Sequence, residues 1–368
     1  MENVKIRRIG AMVLTAVWIL LIAAGLLLPD GELSESERRP LEQWPGITGQ
    51  TLLDGSFMEK FESYSLDQFP LRDTFRQIKA LFHYYALRQA DNNDVYLADG
   101  YAAKLLYPLN EEALDHNLGR LQHLYEKFLR DSGSDIYAAV IPDKSYYLAE
   151  ANGYPAMDYE ALFSEVQKAL PWASHVDLTD CLTIEDYYRT DIHWRQERLL
   201  PAARRLCQAL GVTPPVETDY YETLLERPFY GVYYGQAALP MRPDEMVLLQ
   251  SQLLDQCTVY DHESGKTVPV YDWDKLTSKD LYDVYLSGAR SLLTIENPNA
   301  ATDRELIVFR DSFSSSMVPL LLADYASVTL VDIRYLSTDL LGNFVDFHGQ
   351  DVLILYSANV LNIEGILR

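Results

Sequence analysis

The chain has 368 residues of which 48% are hydrophobic, enough apolar material for one large or two modest packed domains and too much for a disordered scaffold. Its formal charge of -23 and pI near 4.6 repel phosphate backbones, and no basic stripe offsets them, so nucleic acid is excluded as an expected partner. Cys181, Cys207 and Cys257 form an odd set at unrelated spacings, which reads as buried small hydrophobes rather than a zinc ligand set, with a single disulfide as the competing reading.

The run from Ile9 to Leu28 carries no formal charge and is long enough to cross a hydrocarbon core of ~30 Å as a helix. Lys5, Arg7 and Arg8 precede it; Asp30, Glu32, Glu35 and Glu37 follow. The positive-inside tendency therefore puts residues 1–8 in the cytoplasm, a transmembrane helix at 9–28 and the remainder outside. A cleaved signal peptide is the competing reading, against which stand the length of the apolar run and the lack of a clear small-x-small cleavage site. Residues 29–50 are polar and interrupted by Pro40 and Pro45, the pattern of an extracytoplasmic tether.

Helical spacing of Phe57, Phe61 and Tyr64, then of Phe75, Ile78 and Phe82, predicts two helices broken near Pro70, followed by short strands turning at Asp99-Gly100. A βα rhythm begins with a helix at 111–130 and an apolar strand at 136–141. It continues with a helix at 194–210 stopped by Gly211, which places Asp191-Ile192-His193 at a helix entrance. The Tyr-rich stretch 213–296 breaks the rhythm and reads as an insertion near the site, with a hairpin at 257–271. Strands at 306–309, 328–331 and 352–356 then alternate with helices at 314–325 and 340–347, and no internal repeat is evident. Strands separated by helices imply an α/β domain over 51–368, a parallel sheet with helices on both faces.

Ser312 follows a strand and precedes a helix, the position beyond the carboxyl end of a parallel strand where ligands bind; an ordinary N-cap serine fits the same junction. The helix after it offers free N–H groups and a positive dipole end to an oxyanion. Asp191 and His193, separated by one residue, can face the same side of an extended loop. His193 would take the serine proton, Asp191 would fix the imidazole tautomer, and Trp194 would wall the site or stack on a sugar ring; a capping aspartate is the bland alternative. Tyr230, Tyr233 and Tyr234 beside Gly231 and Gly235 suit an aromatic rim, although structural tyrosines are as natural in a chain with 26 of them. The other histidines sit in no spacing that suggests a metal site, and neither metal nor cofactor is called for.

The pattern Arg189-Thr190-Asp191-Ile192-His193-Trp194, followed by Arg310-Asp311-Ser312-Phe313, resembles the DHHW family of membrane-anchored bacterial proteins, relatives of the alginate acetylation proteins AlgJ and AlgX. The resemblance takes in the apolar N-terminus, Asp67-Gln68-Phe69-Pro70-Leu71-Arg72, Pro142-Asp143-Lys144 and the 356–362 end; Ile192 stands where the family has its middle histidine. It implies an SGNH-like, flavodoxin-like fold with a triad of Ser312, His193 and Asp191. Arg310 then becomes a substrate or acetyl-oxygen contact, or else an exposed arginine, and the 142–145 loop with Lys144 lines the cleft. The implied activity is O-acetyl transfer or acetyl-ester hydrolysis on a cell-surface or exported polysaccharide, through an acetyl-serine and with a membrane-bound acetyl-donor protein as partner. A catalytically inactive glycan-binding or assembly protein of the cell envelope is the alternative.

Overall fold

The computed structural model describes residues 2–34 and 36–368, with side chains from Lys5 onward; Met1 and Glu35, the latter among the acidic residues after the apolar run, lie outside the described residues. The chain divides into two compact units, Met1–Asn92 with Gly235–Pro240, and Asn93–Tyr234 with Met241–Arg368. The first boundary therefore falls at Asn92, and residues 51–92, expected within the α/β domain, belong to the first unit.

In the first unit, helix α1 (Glu2–Leu27) contains one stretch, Lys5–Leu27, long and apolar enough to cross a membrane, and most of its large side chains from Ile9 to Leu26 are exposed, Leu21 being partly buried. Helices α2 (Ser56–Asp67) and α3 (Arg72–Leu81, extended by one wider turn through Ala86) flank Pro70, as their spacing predicts. Residues 31–34 and 36–42 are not a free tether. Arg39 donates to both oxygens of buried Asp67 at 2.7 and 2.6 Å, and Glu42 N–H donates to the same carboxylate at 2.9 Å. The guanidinium of Arg39 holds the Asp67 carboxyl down at about 2. Glu37 takes up Arg72 and Arg76 at 2.7 and 3.1 Å. These polar residues look like a linker in sequence because their partners lie some thirty positions downstream.

The second unit is built on an eight-stranded sheet. Its strands in chain order are β1 (Ile136–Ile141), β2 (Ser174–His175), β3 (Thr258–Asp261), β4 (Lys266–Val268), β5 (Leu292–Glu296), β6 (Arg304–Arg310), β7 (Tyr325–Val331) and β8 (Asp351–Ser357). The spatial order is β4-β3-β5-β7-β6-β8-β1-β2. Pairing is parallel from β7 through β2 and antiparallel from β7 outward to β4. The sheet is thus mostly parallel, and the 213–296 stretch is no separate insertion: it supplies three of the sheet's antiparallel edge strands. The hairpin at 257–271 is β3–β4, with Gly265 at its turn.

Alternation along β6 explains the two cores. Leu306 and Val308 join Leu353, Leu355, Val328 and Leu330 on one face, while Ile307 and Phe309 join Val352, Ile354 and Val331 on the other. Helices Glu111–Leu124 and Tyr159–Ala169 cover the second face, and Leu200–Leu210 covers the first. The strongly helical expectation after Ser312 shrinks to a single turn, Ser314–Met317, continued by a tighter turn at Val318–Leu321 where Pro319 removes a donor. Likewise 340–347 is a short tight helix at Thr338–Asn343. Cys207 and Cys257 are buried, Cys181 is partly exposed, and all three are free thiols.

Replacing Asp67 by Ala removes a buried acceptor from three donors and leaves Arg39 without it. Thermal unfolding is expected to show the first unit destabilised by about 1–3 kcal/mol, with protease cutting at residues 31–42 accelerated.

Candidate active site

The sequence 186–195 forms a loop closed by antiparallel pairing of Tyr187 with Trp194, with Tyr188 N–H donating to His193 O at 3.1 Å and Arg195 N–H to Asp186 O at 2.7 Å. Asp191-Ile192-His193 therefore sits at the tip of a short hairpin, not at a helix entrance; a tight turn at Gln196–Arg198 separates it from the helix that starts at Leu200. Within the tip, Asp191 Oδ1 accepts from His193 N at 3.1 Å, an Asx-type turn that folds the imidazole back over its own carboxylate.

Three side chains from this loop and from the end of β6 converge. Ser312 Oγ lies 2.8 Å from His193 Nε2, and His193 Nδ1 lies 2.6 Å from Asp191 Oδ1. The carboxylate can only accept, so Nδ1 carries the proton and Nε2 presents its lone pair to the serine hydroxyl. Ser312 is partly exposed, whereas Asp191 is 1% exposed and His193 is buried to its ring edge. The hydrogen-bonded chain is open at the Ser312 hydroxyl and closed at the carboxylate.

The buried carboxylate is satisfied on its other side as well. Asp191 Oδ2 accepts from Val232 N–H at 2.8 Å, which requires the 230–232 backbone to run against the loop. A Cβ on Gly231 would fall 2.3 Å from Asp191 N, Cα and Cβ, so only glycine fits. Gly231 N–H donates to Thr190 Oγ1 at 2.8 Å, and Asp244 accepts from Arg189 N–H, Thr190 N–H and the Thr190 hydroxyl at 2.8, 2.8 and 2.5 Å. The imidazole lies flat on Tyr282, ring centroids 3.8 Å apart and planes 7° apart, while the Tyr282 hydroxyl bonds Ser316 Oγ at 2.7 Å. Asp311 fastens the serine turn, accepting from Phe313 N–H at 3.0 Å and from Ser357 N–H, at the end of β8, at 2.8 Å.

Several expected contacts are corrected. Trp194 is fully buried and donates its indole N–H to Phe313 O at 3.0 Å and Ser316 Oγ at 2.9 Å, so it clamps the serine turn and presents no face to a sugar. Arg310 is 1% exposed, neither a surface arginine nor a cleft contact; its guanidinium donates to Ser315 Oγ at 2.7 Å and Arg290 O at 3.3 Å. Lys144 is 2% exposed and does not line a cleft: Nζ donates to Tyr188 O and Arg189 O at 2.9 and 3.2 Å, and sits 4.9 Å from the centre of the Tyr233 ring. Burial pushes its ammonium down to about 7, against which the Asp191 and Asp244 carboxylates pull upward. Tyr234 is half-buried beside exposed Tyr230, ring centroids 4.6 Å apart, with its N–H bonded to Thr190 O; it remains at the rim of the loop. The helix after Ser312 does not offer free donors at its start, because Phe313, Ser314 and Ser315 N–H are engaged with Asp311 Oδ1, Asp311 O and Ser312 O.

Tyr282 and Asp244 escape sequence reasoning because each lies within the Tyr-rich stretch, far from the motif it supports. Gly231 is visible as a glycine beside tyrosine, without any sign of what approaches it.

Two outcomes check this geometry. Gly231→Ala is expected to displace Asp191 and slow covalent sulfonylation of Ser312 by phenylmethanesulfonyl fluoride by about 10²-fold, the cost of a shift near 1 Å at a reacting group; intact-mass kinetics read it. For Lys144, the unfolded chain holds its proton up to the usual 10.5 while the native amine releases it near 7, so the unfolded state binds more protons between these values and stability rises with pH across that window. Denaturant unfolding at pH 7 and pH 9.5 is expected to show this gain in the wild type and its loss in Lys144→Met.

No protein-family model matches the sequence, and no curated protein matches it. Solved structures do match. A DHHW family protein from Eubacterium siraeum superposes with a TM-score of 0.60 at 21% identity, covering 75% of this chain and 94% of the other. Bacillus cereus PatB1, solved with a sulfonyl adduct, superposes with a TM-score of 0.58 at 17% identity over 74% and 97% of the two chains; a second structure of PatB1 gives 0.56 at 16% over 74% and 98%. The chain has the fold of these DHHW and PatB1 structures.

Proposed function

We propose that this chain is an SGNH-like serine acyltransferase or esterase, held at the outer side of a membrane by its N-terminal helix, that handles acetyl groups on cell-surface or exported polysaccharide. The observation that carries the reading is the relay Ser312–His193–Asp191, with gaps of 2.8 and 2.6 Å between groups from two distant parts of the chain. A chance contact would not also orient the histidine, bury the carboxylate and leave the hydroxyl accessible.

In the proposed reaction His193 Nε2 removes the Ser312 proton as Oγ attacks an acetyl carbonyl, Asp191 stabilises the resulting imidazolium, and the imidazolium returns the proton to the leaving group. The acetyl-serine is then resolved by a polysaccharide hydroxyl or by water. The sulfonyl adduct described for PatB1 supports covalent chemistry on this fold, and the resemblance of the Asp191–Trp194 and Arg310–Phe313 segments to the DHHW family supports acetyl as the group moved. The charge asymmetry around the apolar helix, Lys5, Arg7 and Arg8 before it and Asp30, Glu32 and Glu37 after it, supports an extracytoplasmic catalytic unit. A membrane-bound protein is the proposed acetyl donor, and Tyr230 with Tyr234 is the proposed sugar-facing rim.

With the full chain in detergent micelles, p-nitrophenyl acetate turnover is expected to fall roughly 10³-fold or more in Ser312→Ala and His193→Ala, with both variants unfolding at the wild-type temperature within a few degrees. Equal turnover in wild type and Ser312→Ala overturns the proposal.

A further inference from the structure

Among the described residues of the first unit, one helix leaves an apolar face largely exposed. At ~100° per residue, Phe75, Ile78 and Phe82 fall within about 30° of one line along α3 and its C-cap, with Leu71 just before its start and Tyr85 in the wider turn that extends it. All five are between 45 and 67% exposed. The opposite side of this helix is the one that packs: Ala80 is fully buried, and Arg72 and Arg76 are held by Glu37. A helix of a water-soluble unit places its apolar stripe inward and its charges outward; this one does the reverse.

The position of the stripe identifies its occupant. Gly25 lies two residues before the end of α1, about 3 Å along its axis. A Cβ there would lie 3.6 Å from Pro70 Cδ, so the ring of Pro70 rests on the last turn of the apolar span, and Leu71 is the next residue. Gln68 fixes the same junction, accepting from Gly31 N–H at 2.8 Å and donating to Gly31 O at 2.9 Å, and Tyr64 OH donates to Asp30 at 2.9 Å. Trp44 packs edge-on against Phe61 and Tyr64, giving the exit point the amphipathic aromatics that favour a headgroup layer. The stripe therefore starts beside the end of the apolar span, at the Pro70 junction.

We infer that residues 71–86 lie in the plane of the bilayer surface as an interfacial helix, with Leu71, Phe75, Ile78, Phe82 and Tyr85 sunk into the headgroup–acyl boundary of the outer leaflet. The chain is thus held to lipid at two places, by the span and by this face. Because the net charge is -23, the attraction is apolar and needs no anionic lipid. The inference rests on the membrane reading of α1.

The test uses the full chain carrying Cys181→Ser, so that only buried native thiols remain, reconstituted in phosphatidylcholine nanodiscs. A nitroxide is attached in turn at Val17→Cys, Ile78→Cys and Gln77→Cys, the last being exposed on the flank of the same helix. Collision rates with oxygen, which concentrates in lipid, and with a water-soluble nickel chelate are compared. The expected result is oxygen exceeding nickel at 17 and 78, with the ratio reversed at 77. Nickel exceeding oxygen at 78 overturns the interfacial helix; if 17 still reports lipid, the anchor reading survives, and if 17 also reports water, that reading fails too. Protection of 78 from both reagents overturns the lipid assignment in favour of a second copy or another protein covering the face.

Discussion

A carboxylate that is 1% exposed has to be answered by donors, and the arrangement of the second unit around the site follows from how Asp191 is answered. His193 supplies two donors, its own N–H and Nδ1, and Val232 N–H supplies another. Meeting Val232 brings the 230–232 backbone so close that position 231 admits no side chain, and holding the loop for that approach uses Thr190 and Asp244. Lys144 completes the support from beneath by gathering the Tyr188 and Arg189 carbonyls. A neutral amine keeps donors for both carbonyls, so burial of Lys144 does not demand that a charge be kept there.

The sheet supplies the other half of the site. The last strand, β8, enters between β6 and β1 instead of adding to an edge, so the end of β6 is flanked by parallel neighbours on both sides. That placement lets Asp311 accept from Ser357 N–H and fixes where the serine turn begins. Trp194 then ties the two halves together: it lies next to His193 in the chain and bonds the turn that carries Ser312. The hydroxyl is aimed at the imidazole by these buried contacts, not by the short helix that follows it.

Alternation and apolar runs made the parallel strands legible at 136–141, 306–309, 328–331 and 352–356, because strands covered on both faces read as continuous hydrophobic segments. The Pro70 break and the Gly265 hairpin were legible for the same local reasons. Asp191, His193 and Ser312 stood out through motif resemblance; spacing alone left each with an ordinary capping role. What escaped was long-range. Arg310, Lys144 and Trp194 look like cleft residues in sequence because a polar or aromatic side chain near a strand end reads alike whether it faces solvent or is bonded inside. Tyr282 carries no local mark at all: its significance comes from a hydroxyl bonded to Ser316, which turns its ring parallel to His193. Residues 31–42 failed similarly, since Arg39 reads as tether until Asp67 is set beside it.

The account stands on Ser312 acting as a nucleophile toward acetyl groups. The most direct measurement is peptide mass analysis of the full chain quenched in acid within the first turnovers of an acetyl ester. The account predicts one acetyl group on the peptide containing Ser312, accumulating in the wild type and absent from His193→Ala. Acetyl esters consumed with no acetyl on Ser312, or with the group on another residue, would contradict it.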